Sequence, residues 1–126
     1  MMKEAVQIGL IIIYALLFVF HILVVVKIIP YSIVWGGRLK TDADMYKFES
    51  VSLTVNSVFL ILVLIKANYI NLHLSDTILT ASLWTMAALF SLNTIGNLLS
   101  KNKLEKIIFT PITILLTILT MMLALD

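Results

Sequence analysis

The sequence predicts an all-α fold, a membrane-embedded antiparallel four-helix bundle, on three observations. First, 61% of its 126 residues are hydrophobic and 13% are charged, whereas soluble domains carry about 45–50% and about 25%. Mean hydropathy is +1.08. Second, residues 5–26, 50–65, 77–100 and 107–125 are free of Asp, Glu, Lys and Arg. A helix crosses a bilayer core with about 20 apolar residues, within a range of about 17–25. The second run reaches that length once Phe48 and a snorkelling Lys66 flank it. Third, the connections are short, as between antiparallel neighbours. The expected spans are 4–29, 42–68, 76–100 and 103–125, in a single integral membrane domain over 1–126.

Charge predicts the orientation. Seven of the nine basic residues flank two connections: Lys27, Arg38, Lys40 and Lys47 the first, Lys101, Lys103 and Lys106 the third. Basic residues accumulate on cytoplasmic loops, so both termini are expected on the outer side. The first run exceeds the apolar core of a cleavable signal and ends without a small-residue cleavage pattern, so it reads as a retained span. Cysteine is absent, which excludes disulfides, thiol redox chemistry and thiolate metal sites. A net charge of +2 is too small to predict a nucleic-acid partner.

In the first helix, Gln7, Tyr14 and His21 are spaced by seven. They drift only about 20° per step and form one stripe, which should face other helices because lipid penalises polar groups. Pro30 ends the helix. In the connection PYSIVWGGRLK, Tyr31 and Trp35 suit the headgroup level, and Gly36-Gly37 allows a tight turn. Two readings stay open there. One is an interfacial loop anchored by Arg38; the other folds the loop back over the bundle mouth, with Arg38 meeting Glu49 or an anionic headgroup.

The second helix begins with Thr41 as N-cap and Asp42 and Asp44 in the first turn. Glu49, Ser52 and Asn56 then share one face. His73, in the second connection, is expected to be solvated. The third helix starts near Ser75 or Asp76. It carries Ser82, Thr85, Ser91, Asn93, Gly96 and Asn97, residue types that let membrane helices approach and hydrogen-bond. In the fourth, Asn102 and Glu105 fit a capping box. Thr110, Thr113, Thr117 and Thr120 form a stripe, and Pro111 predicts a kink that frees a carbonyl.

Counting at 1.5 Å per residue places His21, Glu49, Asn93 and Thr110 about 10–14 Å from the same end of their helices. The expectation is a buried polar layer of these four, flanked by Asn56 and Asn97, with Trp35 and Arg38 as loop candidates. The opposite half reads as aliphatic, which argues against a pore through one monomer. In the first functional reading the layer sets helix register in a non-enzymatic protein that binds a lipid or a protein partner, alone or as a homo-oligomer. In the second it serves an oligomeric channel or proton-coupled small-solute transporter, with Glu49 and His21 as coupling groups. In the third, Glu49, His21 and Arg38 act on lipid. Catalysis has little else behind it: the chain lacks the G-x-S-x-G, P-loop and H-E-x-x-H motifs. One histidine beside one acid makes no zinc site, so no metal, cofactor or catalytic residue is assigned.

The strings WGGRLKTDADMYKFE (35–49) and NTIGNLLSKNKLEKIIFTPIT (93–113) resemble a group of small bacterial four-span membrane proteins. That resemblance implies four helices and a location in the bacterial cytoplasmic (inner) membrane. It carries no activity, so no residue role comes with it.

Overall fold

The computed structural model describes residues 2–126. Among them run four α-helices and no strand: α1 Met2–Val25, α2 Asp42–Lys66, α3 Asp76–Leu98 and α4 Lys103–Leu125. All four are long and apolar enough to cross a membrane, as in a multi-pass membrane protein. Two single 3-10 turns, Tyr31–Ile33 and Trp35–Gly37, occupy the first connection.

Side-chain caps start three of the helices. Thr41 Oγ1 accepts the Asp44 N–H at 3.1 Å and Ser75 Oγ that of Ile78 at 3.2 Å. Asn102 Oδ1 accepts from Leu104 and Glu105. Each satisfies backbone donors that have no partner within their own helix.

α1 ends at Val25, earlier than Pro30 requires. Lys27 adopts a left-handed φ of 65°. Its N–H reaches Val24 O at 3.0 Å and the Ile28 N–H reaches Leu23 O at 2.9 Å, the two bonds of a Schellman closure. α2 closes in the same way through Asn68, φ 64°. Asparagine enters that region readily and lysine does not, so the stop in α1 has no signal in its residue type. Pro111 lies within α4, which is helical on both sides of it.

The helices surround a common core: α1 packs against α2 and α4, α3 packs most extensively against α4, and α2 meets α3 over the smallest contact. Both termini lie at one end, where Lys3 Nζ is 3.2 Å from Asp126 Oδ2 and Lys66 Nζ donates to Asp126 O at 3.0 Å. The first and third connections, with their seven basic residues, are at the other. The main core includes Leu10, Tyr14, Val63, Leu83, Met86, Phe90, Leu116 and Leu123. A smaller cluster of Val24, Val34, Leu39 and Met45 lies under the first connection. Outward faces are apolar as well, with Ile12, Leu16, Val19, Val58 and Ile118 exposed. The terminal half is less purely aliphatic than the spacing predicts, because Gln7, Tyr14 and Thr120 are buried there.

Candidate functional site

His21 and Glu49 meet directly. The sevenfold stripe of α1 turns His21 towards α2, and its Nδ1 is 2.5 Å from Glu49 Oε2. Glu49 is fully buried, and 15% of the His21 side chain is exposed. The other carboxylate oxygen, Oε1, accepts the Trp35 Nε1–H at 3.4 Å. Both oxygens of a carboxylate removed from water thus have donors, the condition on which such burial is tolerated.

Trp35 reaches Glu49 because the first connection folds back over the end of the bundle. Val34 and Leu39 bury against Val24 and Met45, and Asn102 Nδ2–H donates to Ser32 O at 3.3 Å. Trp35 has a φ of 54°, a left-handed conformation that costs a non-glycine residue of the order of 1–3 kcal/mol. Its ring packs on Phe48 with centroids 5.1 Å apart. Of the two readings left open for this loop, the arrangement is the one over the bundle mouth, with a different residue reaching inward. Arg38 stays exposed, and the indole takes the place at Glu49.

Beneath the loop lies a partly open cavity of about 160 Å³. α1 gives it His21, α2 Ser52 and Asn56, α3 Asn93 and Asn97, and α4 Glu105 and Thr113; Trp35 also lines it, with Phe20, Phe90 and Phe109 among its aromatic walls. Asn97 Nδ2–H donates to Thr113 Oγ1 at 3.3 Å, and the Thr94 and Thr113 hydroxyls lie 3.0 Å apart. A polar knot therefore joins α3 to α4. Asn56 Nδ2–H bonds back to Ser52 O at 2.8 Å within α2.

Of the residues expected in a buried polar layer, His21, Asn56 and Asn97 line this cavity half-buried, Asn93 lines it from an exposed position, and Glu49 sits buried behind His21 and Trp35. Thr110 is displaced from it. Its hydroxyl is buried with no hydrogen-bond partner among the described residues, as are those of Tyr14 and Thr120. Thr113 lines the cavity instead. Three residues of helix turn through about 300°, leaving the two hydroxyls about 60° apart around the axis. Counting from the helix end measures height and says nothing of that angle.

Glu105 is the site residue that spacing alone misses. It is buried and lines the cavity, and its Oε2 accepts the Ser100 Oγ–H at 2.6 Å. The Asn102 N–H goes to Ser100 Oγ at 3.1 Å. The expected capping box is thus relayed through Ser100, and the acid turns inward. The available signal was the inward stripe Glu105, Phe109, Thr113 and Leu116 at steps of four, four and three.

A second, larger space of about 690 Å³ shares Trp35, Asn93, Asn97 and Glu105 with the first and adds Arg38, Lys40 and Lys101. The inner cavity therefore adjoins a basic groove between the first and third connections. Outside it, Lys27 pairs with Asp42. The hydrogen bond and charge of Asp42 hold the Lys27 ammonium above the usual lysine range. Among the described residues no three His, Cys, Asp or Glu side chains group as metal ligands would.

Comparison with protein-family models, curated proteins and solved structures finds no match. The chemistry of the site is therefore read from its own geometry. It offers one buried carboxylate, Glu105, three carboxamides, an imidazole and aromatic walls, a set suited to holding a polar group by several hydrogen bonds. Among the described residues no hydroxyl hydrogen-bonds to His21, so the nucleophile-to-base contact of acyl-transfer enzymes is not assembled there.

Proposed function

We propose that this chain is a non-enzymatic, multi-pass protein of the bacterial cytoplasmic membrane that binds a lipid or a membrane-protein partner at its loop end. One observation carries the reading. All four helices and the first connection contribute polar side chains to a single partly open cavity; Leu10, Val63, Leu83, Met86 and Phe90 pack the middle of the bundle, and a separate pocket of about 240 Å³ at the terminal end is lined mainly by Met2, Val6, Met122, Leu123 and Leu125. A polar cavity that a packed apolar core separates from the terminal end suits binding better than passage. The seven basic residues at the loop end support a cytoplasmic position for that end, with both termini outside, and the apolar outward faces suit an acyl-chain environment.

Native mass spectrometry of the chain extracted from its membrane tests the binding role. A retained adduct, reduced in Asn56→Leu/Asn97→Leu, is the expected result; no adduct of any kind overturns it. The absence of cysteine makes orientation measurable, since Lys40→Cys should label only from the cytoplasmic side and His73→Cys only from outside.

One observation favours a second reading, an oligomeric channel or proton-coupled transporter: the buried Glu49–His21 pair borders the cavity, and ionisable groups within membrane spans mark ion and proton routes. Flux in liposomes that Glu49→Gln abolishes would establish transport in place of simple binding.

A further inference from the structure

We propose that the cavity and the basic groove form one site for a phospholipid whose headgroup ends in a primary ammonium, phosphatidylethanolamine being the simplest. This deepens the binding role above and rests on it. The groove holds three cationic side chains, Arg38, Lys40 and Lys101, brought together from the first and third connections. Such a trio suits a phosphate, Arg by its planar fork and Lys as a point charge.

Farther in, the sign of the charge reverses. Glu105, only 7% exposed, lines both the groove and the cavity. Trp35 lines both as well, so a carboxylate and an indole stand where the two spaces meet. The two oxygens of a carboxylate offer about four acceptor positions, so Glu105 can receive an ammonium beside the donors it already holds, Ser100 among them.

Asn93 and Asn97 also line both spaces, and their amide oxygens are acceptors. A primary ammonium brings three N–H donors to such a set, and a quaternary one brings none. Phosphate outside and ammonium inside is the order of charges along an ethanolamine headgroup.

The apolar rim indicates a lipid in preference to a free phosphoamine. Leu92 and Leu99, 63% and 76% exposed, line the groove beside its cations. α2 and α3 also pack together least of the neighbouring helix pairs. Acyl chains can therefore continue along α3 while the headgroup turns inward.

The test uses the full chain carrying Trp84→Phe, which leaves Trp35 as its only tryptophan. Purified protein is offered equimolar phosphatidylethanolamine, phosphatidylcholine and phosphatidylglycerol, with bound lipid counted by native mass spectrometry and Trp35 emission followed in parallel. The ethanolamine lipid should bind about tenfold more tightly than the choline lipid, the worth of one charge-assisted hydrogen bond, and should alone shift the emission. Glu105→Gln should weaken binding of both amine lipids, the ethanolamine lipid more, and erase the preference between them. Asn93→Leu, on an exposed position, provides the same comparison should Glu105→Gln fail to fold.

Equal binding of the three lipids, or preference for the glycerol lipid, overturns the ammonium assignment. Displacement of bound lipid by soluble phosphoethanolamine overturns the lipid source. Saturable binding of lipid without amine preference ends this inference and leaves the binding role standing; no adduct at all ends both.

Discussion

The two halves of this bundle are built from the same four helices and packed on opposite terms. In the terminal half, Leu10, Val63, Leu83, Met86 and Leu123 form an apolar core, and the pocket of about 240 Å³ at that end is walled mainly by aliphatic and methionine side chains. In the loop half the helices carry His21, Glu49, Asn93, Asn97 and Glu105, and a cavity of about 160 Å³ remains. Aliphatic side chains satisfy one another by shape in any close arrangement. Polar ones need a partner at a set distance and angle, and groups that serve their partners first leave volume unfilled. The folded-back connection lies across the mouth of that volume, and Trp35 is its residue that both lines the cavity and reaches Glu49.

His21→Leu should break the contrast most strongly. It strips a fully buried carboxylate of its shortest contact, and losing one member of such a pair costs about 3–5 kcal/mol. Denaturant or thermal unfolding in detergent should show this, with His21→Leu/Glu49→Leu recovering most of the loss. A double variant no more stable than the single would show that the uncompensated charge is not the cause.

Next come the halves compared directly. Leu83→Ala, at a fully buried core position, should cost about 2–5 kcal/mol. Asn97→Ala, beside the cavity, should cost about 0.6 kcal/mol, the average for a hydrogen bond between membrane helices. Equal losses would mean that the halves do not differ in packing.

Asn102→Ala removes the side-chain oxygen that accepts from the Leu104 and Glu105 N–H groups at the start of α4 and should cost about 1 kcal/mol, read from the same unfolding curves. Smallest is the Lys27–Asp42 pair, which is solvent-exposed. Asp42 raises the Lys27 pKa in the folded chain. The pair's contribution is therefore complete below the ordinary lysine pKa and is lost as pH rises through the raised one. Wild type and Lys27→Met should differ slightly in melting temperature at neutral pH and low salt, and converge in strong alkali or high salt.

Much of this was legible in the residues themselves. The four apolar runs, the caps at Thr41, Ser75 and Asn102, and the polar stripe of α1 depend on composition and local spacing, which a helix translates directly into faces and ends. Height along the axis was legible too, for counting places His21 and Glu49 at one level and they touch. What could not be read was angle and neighbour. Thr113 rather than Thr110 lines the cavity, Glu105 leaves its cap to face inward, Trp35 rather than Arg38 reaches Glu49, and α1 stops at Val25 through a lysine in a left-handed turn. Each depends on which helix lies opposite and how closely it approaches.

The sequence by itself determined four helices long and apolar enough to cross a membrane, and which residues of each are polar. Only the tertiary structure decided which of those polar groups meet. Helical periodicity is a local property of the chain, whereas the rotation of one helix against the next follows from packing among all of them.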